Sequence, residues 1–316
     1  MILGMLETFA GLLPVLLVIG VGALARRIAL IDEAGWRGID QLAYYILFPS
    51  ILIVTLARTD FASIPALALA FVLAGAVLAM AGTLMALRPL LMGPLAISGP
   101  AFTSLFQGAT RWNSFVALAL AAAFFGPQGV AMMAVAIVAM VPLLNLLCVL
   151  VLSRYARGTV PALPQMLKEL AGNPFIWSCA VGIALNLFSL ASGLALPAPA
   201  ITALDLMGRG ALAVALISVG AGLDFSRLAG LGRAVWISTA LRLLAMPFFG
   251  YVLARLAGLS SDARGIAILA LAVPTATGAY VLARRMGGDG ATMAEIITVQ
   301  TLLAGLTLPI MLALYA

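Results

Sequence analysis

The sequence predicts an all-α integral membrane protein: ten transmembrane helices as two inverted five-helix repeats, with the fourth and ninth helices broken. Three observations lead there. Only 9% of the 316 residues are charged and 64% are hydrophobic, whereas a soluble domain carries about 25% charged residues to coat its surface. The apolar residues fall in runs near the ~20 needed to cross the hydrocarbon core as helix. Two of those runs carry polar, turn-forming residues near their middles, at matching places in the two halves. No segment shows the alternation, over strands of about 10 residues, that a transmembrane barrel requires.

Breaking the chain at polar and turn-forming clusters places the spans at approximately 5–25, 36–57, 64–87, 95–125, 127–152, 172–192, 198–222, 233–256, 262–286 and 291–315. The first lacks a basic segment before its apolar stretch and reads as a retained span rather than a signal peptide. Residues 1–152 form the first repeat and 172–316 the second. Between them, 153–171 reads as a cytoplasmic linker, where Pro161 and Pro164 prevent a continuous helix.

The loops after odd-numbered spans hold 11 basic residues (among them Arg26, Arg27, Arg154, Lys168, Arg284 and Arg285) and the opposite side only three, Arg58, Arg255 and Arg264. Cytoplasmic loops keep the Lys/Arg excess, so both termini are expected outside, with the protein in the cytoplasmic (inner) membrane. The net charge of +6 is thereby a topological signature and not a nucleic-acid surface. With no histidine, every mechanism needing an imidazole base or ligand is excluded. Cys148 and Cys179 lie inside apolar runs, which argues against a disulfide or a metal site. No metal-ligand cluster, nucleophile–base pair or nucleotide loop stands out, so neither an enzyme nor a cofactor is expected.

Traces of duplication support the inverted arrangement. Ile39-Asp40 … Thr59-Asp60-Phe61 corresponds to Leu204-Asp205 … Leu223-Asp224-Phe225, and Asn113 … Gly126 … Met132 to Pro274 … Gly287 … Met293. The fourth span is too long for one crossing, and near its middle lies Gly108-Ala-Thr-Arg-Trp-Asn-Ser114. An arginine at the midplane costs at least ~2.5 kcal/mol on insertion scales unless paired or hydrated. A helix ending near Thr110 and restarting near Asn113, capped by Asn113 or Ser114, removes the conflict. The ninth span repeats the arrangement at Val273-Pro-Thr-Ala-Thr-Gly278, where Pro274 interrupts the helix and Thr275 or Thr277 can cap the restart. Paired interruptions in inverted halves mark a secondary-transporter site, and half-helix N-termini favour an anion.

Other polar groups inside spans complete the candidate set. Asp205 and Arg209, four apart, suit an ion pair, with proton coupling the alternative role for Asp205. Glu295 is the second coupling candidate, although Thr292-x-x-Glu295 also fits a capping box. Arg242 needs an acid, a carbonyl or water. Gln300 either faces the interruptions or bonds between helices, and Tyr44, Pro49 and Ser50 stand where they can line a pathway.

Gln41-Leu-Ala-Tyr-Tyr-Ile-Leu-Phe-Pro-Ser50, Arg111-Trp-Asn-Ser-Phe115, Asn173-Pro174, Gly220-Ala-Gly-Leu223 and Val273-Pro274 resemble, in order and spacing, the auxin efflux carrier family and its bacterial malate- and malonate-permease-like members. The resemblance covers nearly the whole chain. It implies a sodium/proton-antiporter-like, bile-acid-symporter-like fold whose broken helices cross at mid-membrane. It also implies a homodimerising scaffold of spans 1, 2, 6 and 7, and an elevator-like transport domain of spans 3–5 and 8–10. Asn113 matches the family's asparagine at the first crossover and Pro274 its proline at the second. The expected cargo is a small organic anion (a mono- or dicarboxylate or an auxin-like acid), bound by Arg111, Asn113, Ser114, Pro274, Thr275, Thr277, Tyr44, Ser50 and Gln300. Coupling to H+, to Na+ or to no ion stays open. A sodium-coupled symporter resembling the bile-acid carriers, a membrane-embedded enzyme and a channel are the rival readings.

Overall fold

Runs of Ala, Leu, Val and Met fold as helices where water is excluded, because the helix satisfies its backbone polar groups internally. The computed structural model describes residues 2–156, 164, 168, 171–195, 197–228 and 230–315. In chain order the helices are α1 (Ile2–Arg27), α2 (Glu33–Ala57), α3 (Ala66–Met92), α4 (Gly99–Thr110), α5 (Ser114–Tyr155), α6 (Pro174–Ser192), α7 (Ala198–Ala221), α8 (Arg233–Leu256), α9 (Ser261–Ala272), α10 (Gly278–Arg285) and α11 (Gly290–Tyr315). Among the described residues there is no strand. Seven helical stretches, one of them α4 and α5 taken together, are long and apolar enough to cross a membrane. The linker expected at 153–171 falls largely outside the described residues, with Arg157, Pro161 and Glu169 among those not covered.

Most span boundaries agree with the sequence reading to within a few residues. Within α5, Gly126 has φ +58° and ψ −151°, a conformation that essentially only glycine adopts. It kinks the helix at the position where the sequence reading divided its fourth and fifth spans. At the end of α3 the reading falls short. Arg88, assigned to a loop, lies inside the helix, which runs on to Met92. Its guanidinium donates to the Tyr155 hydroxyl at 2.9 Å, fastening α3 to the end of α5.

Two helices contain a single π-turn, at Ala43–Leu47 in α2 and Leu241–Ala245 in α8. Each is followed two residues on by a proline, Pro49 or Pro247. Proline lacks the N–H for the ladder and crowds the carbonyl four residues back, and the wider turn relieves both. These turns carry Tyr44 and Arg242.

The helices pack in two groups. α1 lies against α7, and α2 against α6 and α7. The α1–α7 crossing is close because glycines face backbone: a Cβ on Gly22 would stand 1.9 Å from the Ile217 carbonyl oxygen, and one on Gly220 1.8 Å from that of Ile19. Small residues at such crossings let helices approach where no hydrophobic effect drives them together. In the second group α3, α5, α8 and α11 surround α9. From Ile266 to Val273 every residue of α9 and its cap is fully buried, as expected for a helix that is apolar all round.

The sequence matches between halves have local counterparts. Asp60 accepts from the Ala62 N–H to cap a 3₁₀ turn at Phe61–Ser63, and Asp224 accepts from the Ser226 N–H to cap one at Phe225–Arg227.

Candidate functional site

At 1.5 Å per residue, the twelve residues of α4 and of α9 span ~18 Å each, short of a ~30 Å hydrocarbon core. Both helices stop there and a second helix continues after a few extended residues. The two interruptions touch: the Asn113 backbone N–H donates to the Pro274 carbonyl at 2.8 Å. Asn113 has extended φ and ψ, and its Oδ1 accepts from the N–H groups of Phe115 (3.1 Å) and Val116 (3.2 Å). It therefore caps α5 as expected and leaves its amide NH₂ as a donor.

The second restart differs from expectation. Thr277 precedes Gly278 with helical φ and ψ, so its hydroxyl does not reach the first turn. Thr275 uses its backbone N–H to donate to Gln300 Oε1 at 3.0 Å, while its buried hydroxyl has no hydrogen-bond partner. Neither threonine caps α10. The capping box proposed for Thr292 and Glu295 is displaced too: Asp289 accepts from the Thr292 N–H at 3.0 Å. The helix starts at Gly290, one residue before the position read from sequence, which makes Asp289 the residue preceding it.

Several of the carbonyls left open where α4 and α9 end have side-chain partners. Gly108 accepts from Gln300 Nε2 at 3.0 Å, and Thr110, Ala270 and Val273 all accept from Arg242. The C-terminal ends of both half-helices thus face buried donors, and the first residues of α5 and α10, Ser114 and Gly278, line an open cavity of about 1030 Å³. Two helix N-termini, each worth about half a positive charge, point toward that space.

Of the residues singled out from sequence, Arg111, Asn113, Ser114, Thr277 and Tyr44 line the cavity. Pro274, Thr275, Ser50 and Gln300 are buried away from it. The Ser50 hydroxyl donates back to Ile46 O at 2.7 Å, and Gln300 ties the two interruptions together. Asp205 is ion-paired with Arg209 at 2.8 Å and, like Glu295, does not line the cavity. Arg111 donates through Nη2 to Asn145 Oδ1 at 3.1 Å, while its buried Nη1 has no hydrogen-bond partner.

Several lining residues escaped the sequence reading. Asn145 comes from the far half of α5, and Arg284, counted only for topology, stands on α10. Asp40, which accepts from the Ser218 hydroxyl, and Asp224 supply negative charge on the wall. Their visible signal was the Asp-containing sequence match between the halves, which says nothing of exposure to a cavity. Phe115 stacks on Phe48 with centroids 4.6 Å apart and lies 5.9 Å from Phe175, giving the space an aromatic side.

A helical bundle with segments able to cross a membrane, and a cavity of mixed polar and apolar lining at two touching helix interruptions, are the features of a multi-pass membrane transport protein. The chain belongs to the auxin efflux carrier family: the family described as membrane transport protein matches residues 8–312. No curated protein matches the sequence at a significant level.

Proposed function

We propose that the protein is a secondary carrier of a small organic anion. The observation that carries this reading is the convergence, on one cavity, of two half-helix N-termini and the Asn113 and Arg111 side chains. A carboxylate entering there would meet the positive ends of both half-helices, the Asn113 amide and the Arg111 guanidinium. The aromatic side formed by Phe115 and Phe175 suits the apolar body of such an acid.

In this reading the chain crosses the membrane ten times as two inverted repeats, α4 with the start of α5 and α9 with α10 being the broken spans. α1, α2, α6 and α7 serve as scaffold, and the remaining helices move against them as an elevator. The two packing groups and the matched Asp-capped turns support it. The protein lies in the inner membrane in this reading, and the basic-residue asymmetry supports placing both termini outside. A terminal tag reached only from the cytoplasm would reverse that orientation.

Uptake by proteoliposomes of labelled mono- and dicarboxylates tests the function, and no uptake under any imposed gradient would remove it. Arg111→Gln should raise the KM by roughly 10-fold or more, the worth of one hydrogen bond to a charged group. An unchanged KM would take Arg111 out of the site.

The same reading includes a homodimer. Arg209 lies about 16 Å along α7 with its side chain 75% exposed, paired to Asp205. An ion pair at that depth is costly against lipid, and a second copy packed on α7 covers it. Light scattering of the detergent-purified chain should give the mass of two copies; a monomeric particle counts against the dimer.

A further inference from the structure

One side chain gathers the ends of both half-helices. Arg242, carried by the π-turn of α8, is fully buried. Its Nε donates to Val273 O at 2.8 Å, its Nη1 to Thr110 O at 3.3 Å and its Nη2 to Ala270 O at 3.1 Å. No carboxylate lies within ion-pair distance of it among the described residues. What compensates its charge is backbone. Each helix C-terminus carries about half a negative charge, so the ends of α4 and α9 together present about one, matched by one guanidinium.

Convergent main-chain carbonyls at half-helix C-termini are also the donor set that a desolvated alkali cation takes in transporters with broken helices. Here that set is filled by a cation attached to the chain. Arg242 is outside the anion cavity and all three of its nitrogens are engaged, so it does not touch the substrate.

We propose that Arg242 is the built-in counter-ion of the two helix interruptions: it stands where an exchangeable sodium ion would otherwise be needed, and it makes anion transport independent of Na+. The inference rests on the reading of that cavity as the anion site and adds the coupling ion to it. Arg242 is then a positioning residue: it holds the interruptions in the geometry that presents Asn113 and the N-termini of α5 and α10.

The test uses purified full-length wild type, R242A and R242K, with anion uptake and thermal unfolding measured in NaCl, KCl and choline chloride at equal ionic strength. Wild type and R242K should vary less than about twofold in uptake among the three salts, because their cation is covalent. R242A should lose about tenfold or more in choline, and recover in part with Na+ or with low-millimolar guanidinium, which refill the carbonyl set. A purely structural arginine would give a loss that no cation repairs, and that result overturns the proposal. So does wild-type uptake that requires Na+, or R242A that is fully active in choline. If R242A fails to fold, R242Q, which keeps a donor and loses the charge, takes its place in the same salt and guanidinium series. If wild type moves no carboxylate at all, the carrier reading fails, while cation rescue of R242A thermal stability still reads the role of Arg242.

Discussion

Asn113→Asp should keep the fold and lose the anion. Asp caps a helix about as well as Asn, so the carboxylate can still accept from the Phe115 and Val116 N–H groups. What changes is the face toward the cavity: an amide donor becomes an acceptor with a full negative charge. Two like charges ~4 Å apart at an effective dielectric near 20 repel by about 4 kcal/mol, roughly a thousandfold in affinity. Asn113→Ala separates the two contributions. It loses the cap, for about 1 kcal/mol of stability, and a hydrogen bond to a charged group, for roughly 10- to 150-fold in affinity. Binding of a labelled carboxylate and thermal unfolding, measured on both variants, give opposite rankings if Asn113 does both jobs. An Asp variant that binds like wild type would show that the anion does not sit at this cap.

The interruptions were legible in the sequence because they violate the rule of their surroundings. Arg-Trp-Asn and Val-Pro-Thr inside apolar runs have no comfortable place facing lipid, so the helix had to stop, and the stops fall at Thr110 and Ala272. The cap at Asn113 was legible for the same reason. The threonines after Pro274 were not, since Thr275 and Thr277 are equally good caps by type, and only the backbone angles at 277 and the unpartnered hydroxyl of Thr275 show that neither is used.

The partners of Arg242 were harder still. Sequence demands that a buried guanidinium be paired, but the groups it found are main-chain carbonyls, which every residue owns and no residue type announces. The same holds for the α1–α7 crossing. Gly22 and Gly220 are visible as small residues in spans, but which glycine meets which carbonyl depends on helix rotation. The π-turns, by contrast, left a signal that can be read, in Phe48-Pro49 and Met246-Pro247.

Gln300→Leu should be the most damaging single change that touches neither the cavity nor a charge. Its amide bonds to both interruptions at once, accepting from Thr275 N–H and donating to Gly108 O, each at 3.0 Å, with a longer bond to Ser238 Oγ at 3.4 Å. Ordinary interhelical hydrogen bonds in membranes average about 0.6 kcal/mol, because unfolded helices in lipid also find partners. The Gln300 bonds belong to another class. Thr275 and Gly108 are main-chain groups at helix interruptions, open only in the folded arrangement, and leucine would strand both where no water reaches. At ~1–3 kcal/mol for each stranded group the loss is about 2–6 kcal/mol. Ser238→Ala, which leaves both of those bonds intact, sets the scale of a small loss by comparison. Thermal unfolding in detergent should therefore rank wild type and Ser238→Ala well above Gln300→Leu, with anion uptake falling in the same order. If Gln300→Leu melts with wild type and still carries the anion, the interruptions hold together without this amide. Their pairing would then rest on the Asn113–Pro274 bond and on Arg242 alone.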